Sequence, residues 1–127
     1  MLKKYMKGYR AERHLVHKLS KMGWLAIRSP RSGRIGLPSP DIITAKNKEL
    51  IAIECKSREQ GFKIPMDQLN QLKEWEDKAG AKSFIAWKLS HKDWYFISLK
   101  DVIKNNGNIG KKFCEENGKS IESIFGF

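Results

Sequence analysis

The chain predicts an α/β fold, a mixed β-sheet flanked by helices, with elements in the order α-β-β-β-α-β-β-α. Three observations carry that prediction. Apolar residues recur at helical spacing in two segments, one near the N-terminus and one in the middle of the chain. Short runs of β-branched and aromatic residues, bounded by turn residues, lie between and after them. Two of these runs, residues 40–46 and 49–56, are separated only by Asn47-Lys48, which is hairpin spacing. A length of 127 residues suits one domain with a real core and no room for a second.

The first helix is expected from about Gly8 to Met22, with Ala11, Leu15, Val16, Leu19 and Met22 on one stripe and Gly23 as its stop. Glu12 shares that apolar face, three residues before Leu15 and seven before Leu19. A carboxylate there either points off the end of the core or serves a site. Residues 24–28 read as a strand. Residues 29–39 are rich in Gly, Ser, Pro and Arg, and such a loop can bring N–H groups, hydroxyls and guanidinium groups to phosphates. Composition alone fits a plain connection equally well.

After the hairpin, residues 57–64 form a loop with the basic residues Arg58 and Lys63. A second helix is expected from Pro65 to Gly80, with proline in its first turn and glycine past its last. Its stripe runs through Gln68, Leu72, Trp75 and Ala79, so Gln68 sits on an otherwise apolar face. It is either a boundary residue or one that reaches a site. Strands follow at 82–89 and 94–98. Ser98 and Asp101 resemble a capping box for a short helix ending near Asn105. From about residue 108 the chain is a weakly patterned tail, apart from Ile121, Ile124, Phe125 and Phe127.

The hairpin holds the chemistry. A two-residue turn sets Lys46 against Glu49 and therefore Asp41 against Glu54, with their Cβ atoms about 5 Å apart on one face. Lys56 points to the same face, roughly 7 Å along the strand. Two carboxylates that close repel by roughly 3 kcal/mol at an effective dielectric of 20, a conflict that a divalent cation would remove. The alternative is that Asp41, Glu54 and Lys56 are solvated strand ends. Lys48 resists the positive φ of a type I′ turn, and a three-residue loop would slip the facing pair. The same face carries Ile43, Ala45, Leu50 and Ala52. A first helix packed there would bring Glu12 to the two acids, with Ala52 leaving room.

Lysine and arginine outnumber aspartate and glutamate 25 to 14, a net charge of +11. That balance points to a polyanionic partner, nucleic acid ahead of an anionic membrane. Cys55 and Cys114 have no metal-ligand spacing, and free thiols fit a reducing cytoplasm. No signal peptide or membrane span is expected. His14 and His17 lie off the apolar stripe and His91 in a turn, so histidine acid–base catalysis is not supported. No catalytic triad or phosphate-binding glycine loop is present. Phe84, Trp75, Trp87 and Trp94 fit core packing better than a dimer contact.

Pro40-Asp41, followed after twelve residues by Glu54-Cys55-Lys56, resembles the PD-(D/E)xK signature of restriction-endonuclease-like nucleases. With Ala11-Glu12-Arg13 on the opening helix, residues 27–33 before the motif, and Gln68 on the next helix, the set resembles the archaeal-type Holliday junction resolvases. The likeness covers roughly residues 8–89. It implies a restriction-endonuclease-like sheet and a homodimer that cuts four-way junction DNA with magnesium, manganese able to substitute, and no small-molecule cofactor.

The resemblance further implies that Asp41, Glu54 and the Cys55 carbonyl hold the metal, with Glu12 as the helix carboxylate beside them. It makes Lys56 the residue that activates the attacking water, with Ser32 and Gln68 supporting catalysis. Arg13 and Arg28 match basic residues near the scissile phosphate. Arg31, Arg34, Arg58, Lys3, Lys4 and Lys7 are further candidates for DNA contact. Another nuclease of this fold, or a basic DNA-binding module that does not cut, are the competing readings.

Overall fold

The computed structural model describes residues 2–29 and 37–126, with the side chains of the first helix described from Gly8 onward. Helix α1 (Leu2–Lys21) starts well ahead of Gly8, because the leucine, lysines and methionine before it are good helix formers. Strands β1 (Leu25–Arg28), β2 (Ile42–Lys46) and β3 (Glu49–Ser57) follow, then the short β4 (Phe62–Lys63) inside the segment expected to be a loop. Helix α2 (Met66–Ala79) leads to β5 (Lys82–Lys88) and β6 (Trp94–Ser98). The chain closes with α3 (Leu99–Lys104), β7 (Asn108–Ile109), α4 (Lys111–Asn117) and α5 (Ile121–Phe125).

The main sheet has the order β1-β2-β3-β5-β6, with β4 and β7 as a separate pair. It is mixed because α2 carries the chain from β3 to a parallel β5, whereas hairpins make the other pairs antiparallel. Proline before Met66 and a left-handed Gly80 (φ 70°) bound α2. Ser98 caps α3 by accepting the Asp101 amide at 3.3 Å, the capping interaction expected from the sequence.

Strand β2 meets β3 in the expected register, Lys46 facing Glu49 and Ile42 facing Ile53. Both turn residues take left-handed backbone, Asn47 at φ 48° and Lys48 at φ 72°. Lysine therefore adopts the conformation that its Cβ disfavours, held by five facing pairs of strand residues.

Two cores cover the two sheet faces. Leu15 and Leu19 of α1 pack with Trp24, Ile42, Ile51, Ile53, Phe96 and Phe125. Leu69 and Leu72 of α2 pack with Ala52, Ile85, Trp87 and Val102. Helix α1 thus lies on the face of Ile42 and Ile53, not on the face shared by Asp41, Ile43 and Ala52. The isoleucines give it the larger apolar surface, and α2 takes the face that Ala52 keeps shallow.

The C-terminal segment, as far as residue 126, is also built into the core. Phe125 is fully buried, stacks edge-on against Trp24 at 5.1 Å and Phe96 at 5.3 Å, and its carbonyl accepts the Trp24 indole N–H at 2.9 Å. Lys119 exchanges backbone hydrogen bonds with Phe96 at 2.8 Å. Weak periodicity concealed this order because α4 and α5 are only seven and five residues long. Phe84, Trp87 and Trp94 are buried in the two cores, while Trp75 on α2 is half-buried. Among the described residues, no helix is long and apolar enough to cross a membrane.

Candidate active site

The end of β1, the start of β2 and the end of β3 lie side by side, because each strand runs opposite to its neighbour. That geometry gathers Arg28, Asp41, Glu54, Cys55 and Lys56 at one end of the sheet. Ser29 ties the corner together: its amide donates to the Asp41 carbonyl at 2.9 Å, and its hydroxyl donates to the carbonyl of Pro40.

Strand β2 stops pairing at Ile42, opposite Ile53. The next outward amide of β3, that of Cys55, donates instead to Asp41 Oδ2 at 2.8 Å. A strand residue directs its N–H and C=O to the same side, so the Cys55 carbonyl also faces the space that β2 has vacated. Two carboxylate side chains and a carbonyl oxygen are hard donors of the kind that suit magnesium or manganese.

Electrostatics mark the same spot. Burial, reinforced by the charge of Asp41, raises Glu54 from 4.5 to about 8, while Lys56 and the Asp41 backbone amide pull the other way and Glu12 adds to the rise. Lys56 Nζ stands 3.9 Å from Glu54 Oε2, and both side chains are largely buried. One lysine at that distance does not restore the carboxylate to its ordinary range. A divalent cation shared by Asp41 and Glu54 would do so. Burial also pushes the Cys55 thiol well up, with Asp41, Glu12 and Glu54 adding to the effect, so the thiol is inert as a nucleophile.

Glu12 reaches this end of the sheet from the α1 side. Its Oε1 accepts from Arg28 Nη2 at 3.0 Å and Nε at 3.3 Å. Among the described residues, no three His, Cys, Asp or Glu side chains come together as a metal cage. Glu12, expected with the metal ligands, is thus engaged by Arg28, the last residue of β1. Its charge still acts on Glu54 and Cys55.

Gln68 stands in the first turn of α2, over the face that carries Asp41 and Glu54. Its side-chain oxygen is buried and has no hydrogen-bond partner among the described residues, which leaves one acceptor to satisfy beside the site. Arg13 is exposed on α1, as are His14 and His17. Arg58 is exposed, and its backbone is pinned to β5 through the Lys88 carbonyl and the Trp87 indole at 2.8 Å.

Ser32, Arg31 and Arg34 lie outside the described residues, as do the side chains of Lys3, Lys4 and Lys7. Two contacts escaped the sequence reading. Trp75 donates to the Pro38 carbonyl at 3.2 Å, and Gln71 accepts the Ser39 amide at 3.4 Å. They seat the approach to Asp41 along α2, and their spacing of four residues on one helix was the available signal.

Comparison with known proteins extends the pattern to the whole chain. The family model described as archaeal Holliday junction resolvase (hjc) matches residues 3–126. The crossover junction endodeoxyribonuclease Hjc of Archaeoglobus fulgidus is 32% identical over 130 residues, covering 94% of this chain and 96% of the relative. The protein of the same name from Sulfolobus acidocaldarius is 36% identical over 99 residues, covering 76% and 68%. The solved structure of Archaeoglobus fulgidus Hjc, a Holliday junction resolvase from an archaeal hyperthermophile, superposes with a TM-score of 0.82 at 31% identity, over 92% of this chain and 97% of that one.

Proposed function

Because the chain belongs to the archaeal Holliday junction resolvase family, we propose that it is a metal-dependent endonuclease that resolves four-way DNA junctions by paired phosphodiester hydrolysis. One observation carries the chemistry. Asp41 and a largely buried Glu54, raised to about 8, share the end of a sheet with Lys56. A non-cleaving DNA-binding module gains nothing from that arrangement.

Asp41, Glu54 and the Cys55 carbonyl would hold magnesium, with manganese able to replace it. The bound ion would supply Lewis acidity and lower the pKa of a coordinated water. Lys56 orients the attacking water and stabilises the hydroxide that develops from it. Arg28 offers N–H groups to the phosphate as charge builds on its oxygens, and Arg13 and Arg58 add positive charge around it. Gln68 gives its unpartnered oxygen to the water network of the site. Ser32, Arg31 and Arg34 extend the DNA surface, with Lys3, Lys4 and Lys7 on the N-terminal helix.

Two symmetric cuts call for two sites, and a two-fold homodimer provides them. Leu25 is 81% exposed and Ile27 65% exposed. Both lie on the edge strand, beside the half-buried Ala45 and Ile43. An apolar sheet edge of this kind suits a second copy of the chain. The whole chain acts as one nuclease domain in the cytoplasm, in keeping with its two free cysteines.

The test is incubation with a labelled immobile four-way junction beside a matched linear duplex, with magnesium or with EDTA. Paired nicks in the junction alone, dependent on magnesium, are expected. Equal cutting of both substrates would reduce the reading to a general nuclease of this fold.

A further inference from the structure

Tyr9 has no part in the chemistry above, yet it touches Arg28. The guanidinium carbon of Arg28 lies 4.4 Å from the centre of the Tyr9 ring. Glu12 accepts two N–H groups of the same guanidinium, at 3.0 Å and 3.3 Å. Tyr9 and Glu12 are three residues apart on α1 and so share a helix face. Arg28 reaches both from the last position of β1.

This is a clamp with two different jaws. The carboxylate engages the guanidinium through its N–H groups, and the guanidinium carbon lies over the ring. Of the five N–H donors of arginine, Glu12 takes two and three remain. A ring stacked on the face of the group leaves those in-plane donors open to an anion. An arginine bridging a carboxylate alone can still rotate about that contact, and the ring removes this freedom.

We propose that Tyr9 is a positioning residue, which stacks on Arg28 to hold its remaining N–H groups in the plane that takes an oxygen of the scissile phosphate. The proposal rests on the nuclease reading above. It requires an aromatic face and no phenolic hydroxyl. Tyr9 is 37% exposed and stands outside both core clusters, so substitutions there leave the fold intact.

The experiment is single-turnover cleavage of a four-way junction with magnesium, alongside junction affinity and thermal midpoint. It compares wild type, Tyr9→Phe and Tyr9→Leu, with Tyr9→Leu made also in an Arg28→Ala background. Tyr9→Phe should cut within about two-fold of wild type, whereas Tyr9→Leu should lose about three- to ten-fold in rate at an unchanged thermal midpoint. In the Arg28→Ala background, Tyr9→Leu should add nothing.

A cutting wild type with an indifferent Tyr9→Leu would overturn the positioning role alone. An equal loss in both backgrounds would overturn it too, and would assign Tyr9 to direct DNA contact. A wild type that binds the junction without cutting it would overturn the nuclease reading and this role with it.

Discussion

The carboxylate of Asp41 accepts the backbone amide of Cys55 at 2.8 Å, so the acid that opens β2 completes the pairing of β3 where β2 has ended. One side chain thereby does structural and chemical work together. The bond fixes Asp41 against β3, and Asp41 in turn adds to the electrostatic load on Glu54.

That load makes metal-free stability depend on pH. Glu54 rises from 4.5 to about 8 on folding, so the folded chain favours its protonated form. Its contribution is fully present below about pH 4.5, erodes as pH rises and is lost as pH passes 8. By linkage the loss is on the order of a few kcal/mol. Urea unfolding in EDTA should show lower stability at pH 8.5 than at pH 6. Magnesium should narrow the difference, and Glu54→Gln should flatten it.

Lys56→Ala should slow cleavage by about 100-fold, the scale expected of a group that assists proton transfer. Junction affinity should change little, because Lys56 is largely buried beside Glu54. Single-turnover rates set against binding isotherms separate the two effects. A parallel loss of affinity would make Lys56 a DNA contact instead.

Ile27 lies 65% exposed on the edge strand, and Ile27→Asp should disrupt a dimer formed there while leaving the monomer folded. Sedimentation velocity should show the protein changing from dimer to monomer. Junction products should shift from paired nicks to single ones. A variant that sediments as wild type would move the interface elsewhere.

Phe125→Ala should cost about 3–5 kcal/mol, as expected for a large aromatic side chain removed from a close-packed core. Chemical denaturation measures it directly. A cost below about 0.5 kcal/mol, the range of exposed substitutions, would mean that the tail is not part of the folding unit.

Much of this was legible in the sequence, and for identifiable reasons. The hairpin register follows from pattern and spacing, so Ile42 opposite Ile53, next to Asp41 and Glu54, was predictable, and Lys48 could not shift it because the flanking strands hold the turn. Which face α1 covers was not legible. Both faces of β2 and β3 carry apolar residues, and only packing decides that the isoleucines take α1 while Ala52 takes α2. The ion pair of Glu12 with Arg28 joins residues distant in sequence and likewise forms only through the fold. The tail was missed because helices of five to seven residues give too few turns for a periodic signal. Tyr9 was missed because its partner, Arg28, is distant in sequence and joins it only through the fold.

The most direct measurement is junction cleavage by Asp41→Asn under single-turnover conditions with magnesium, alongside junction binding. Asparagine keeps an oxygen that can accept the Cys55 amide but removes the charge a cation needs. The predicted result is a loss of cleavage exceeding about 100-fold, the upper range for groups that merely orient a metal ligand, with affinity and fold retained. Cleavage near the wild-type rate would contradict the account, because Asp41 would then hold the strand and nothing more.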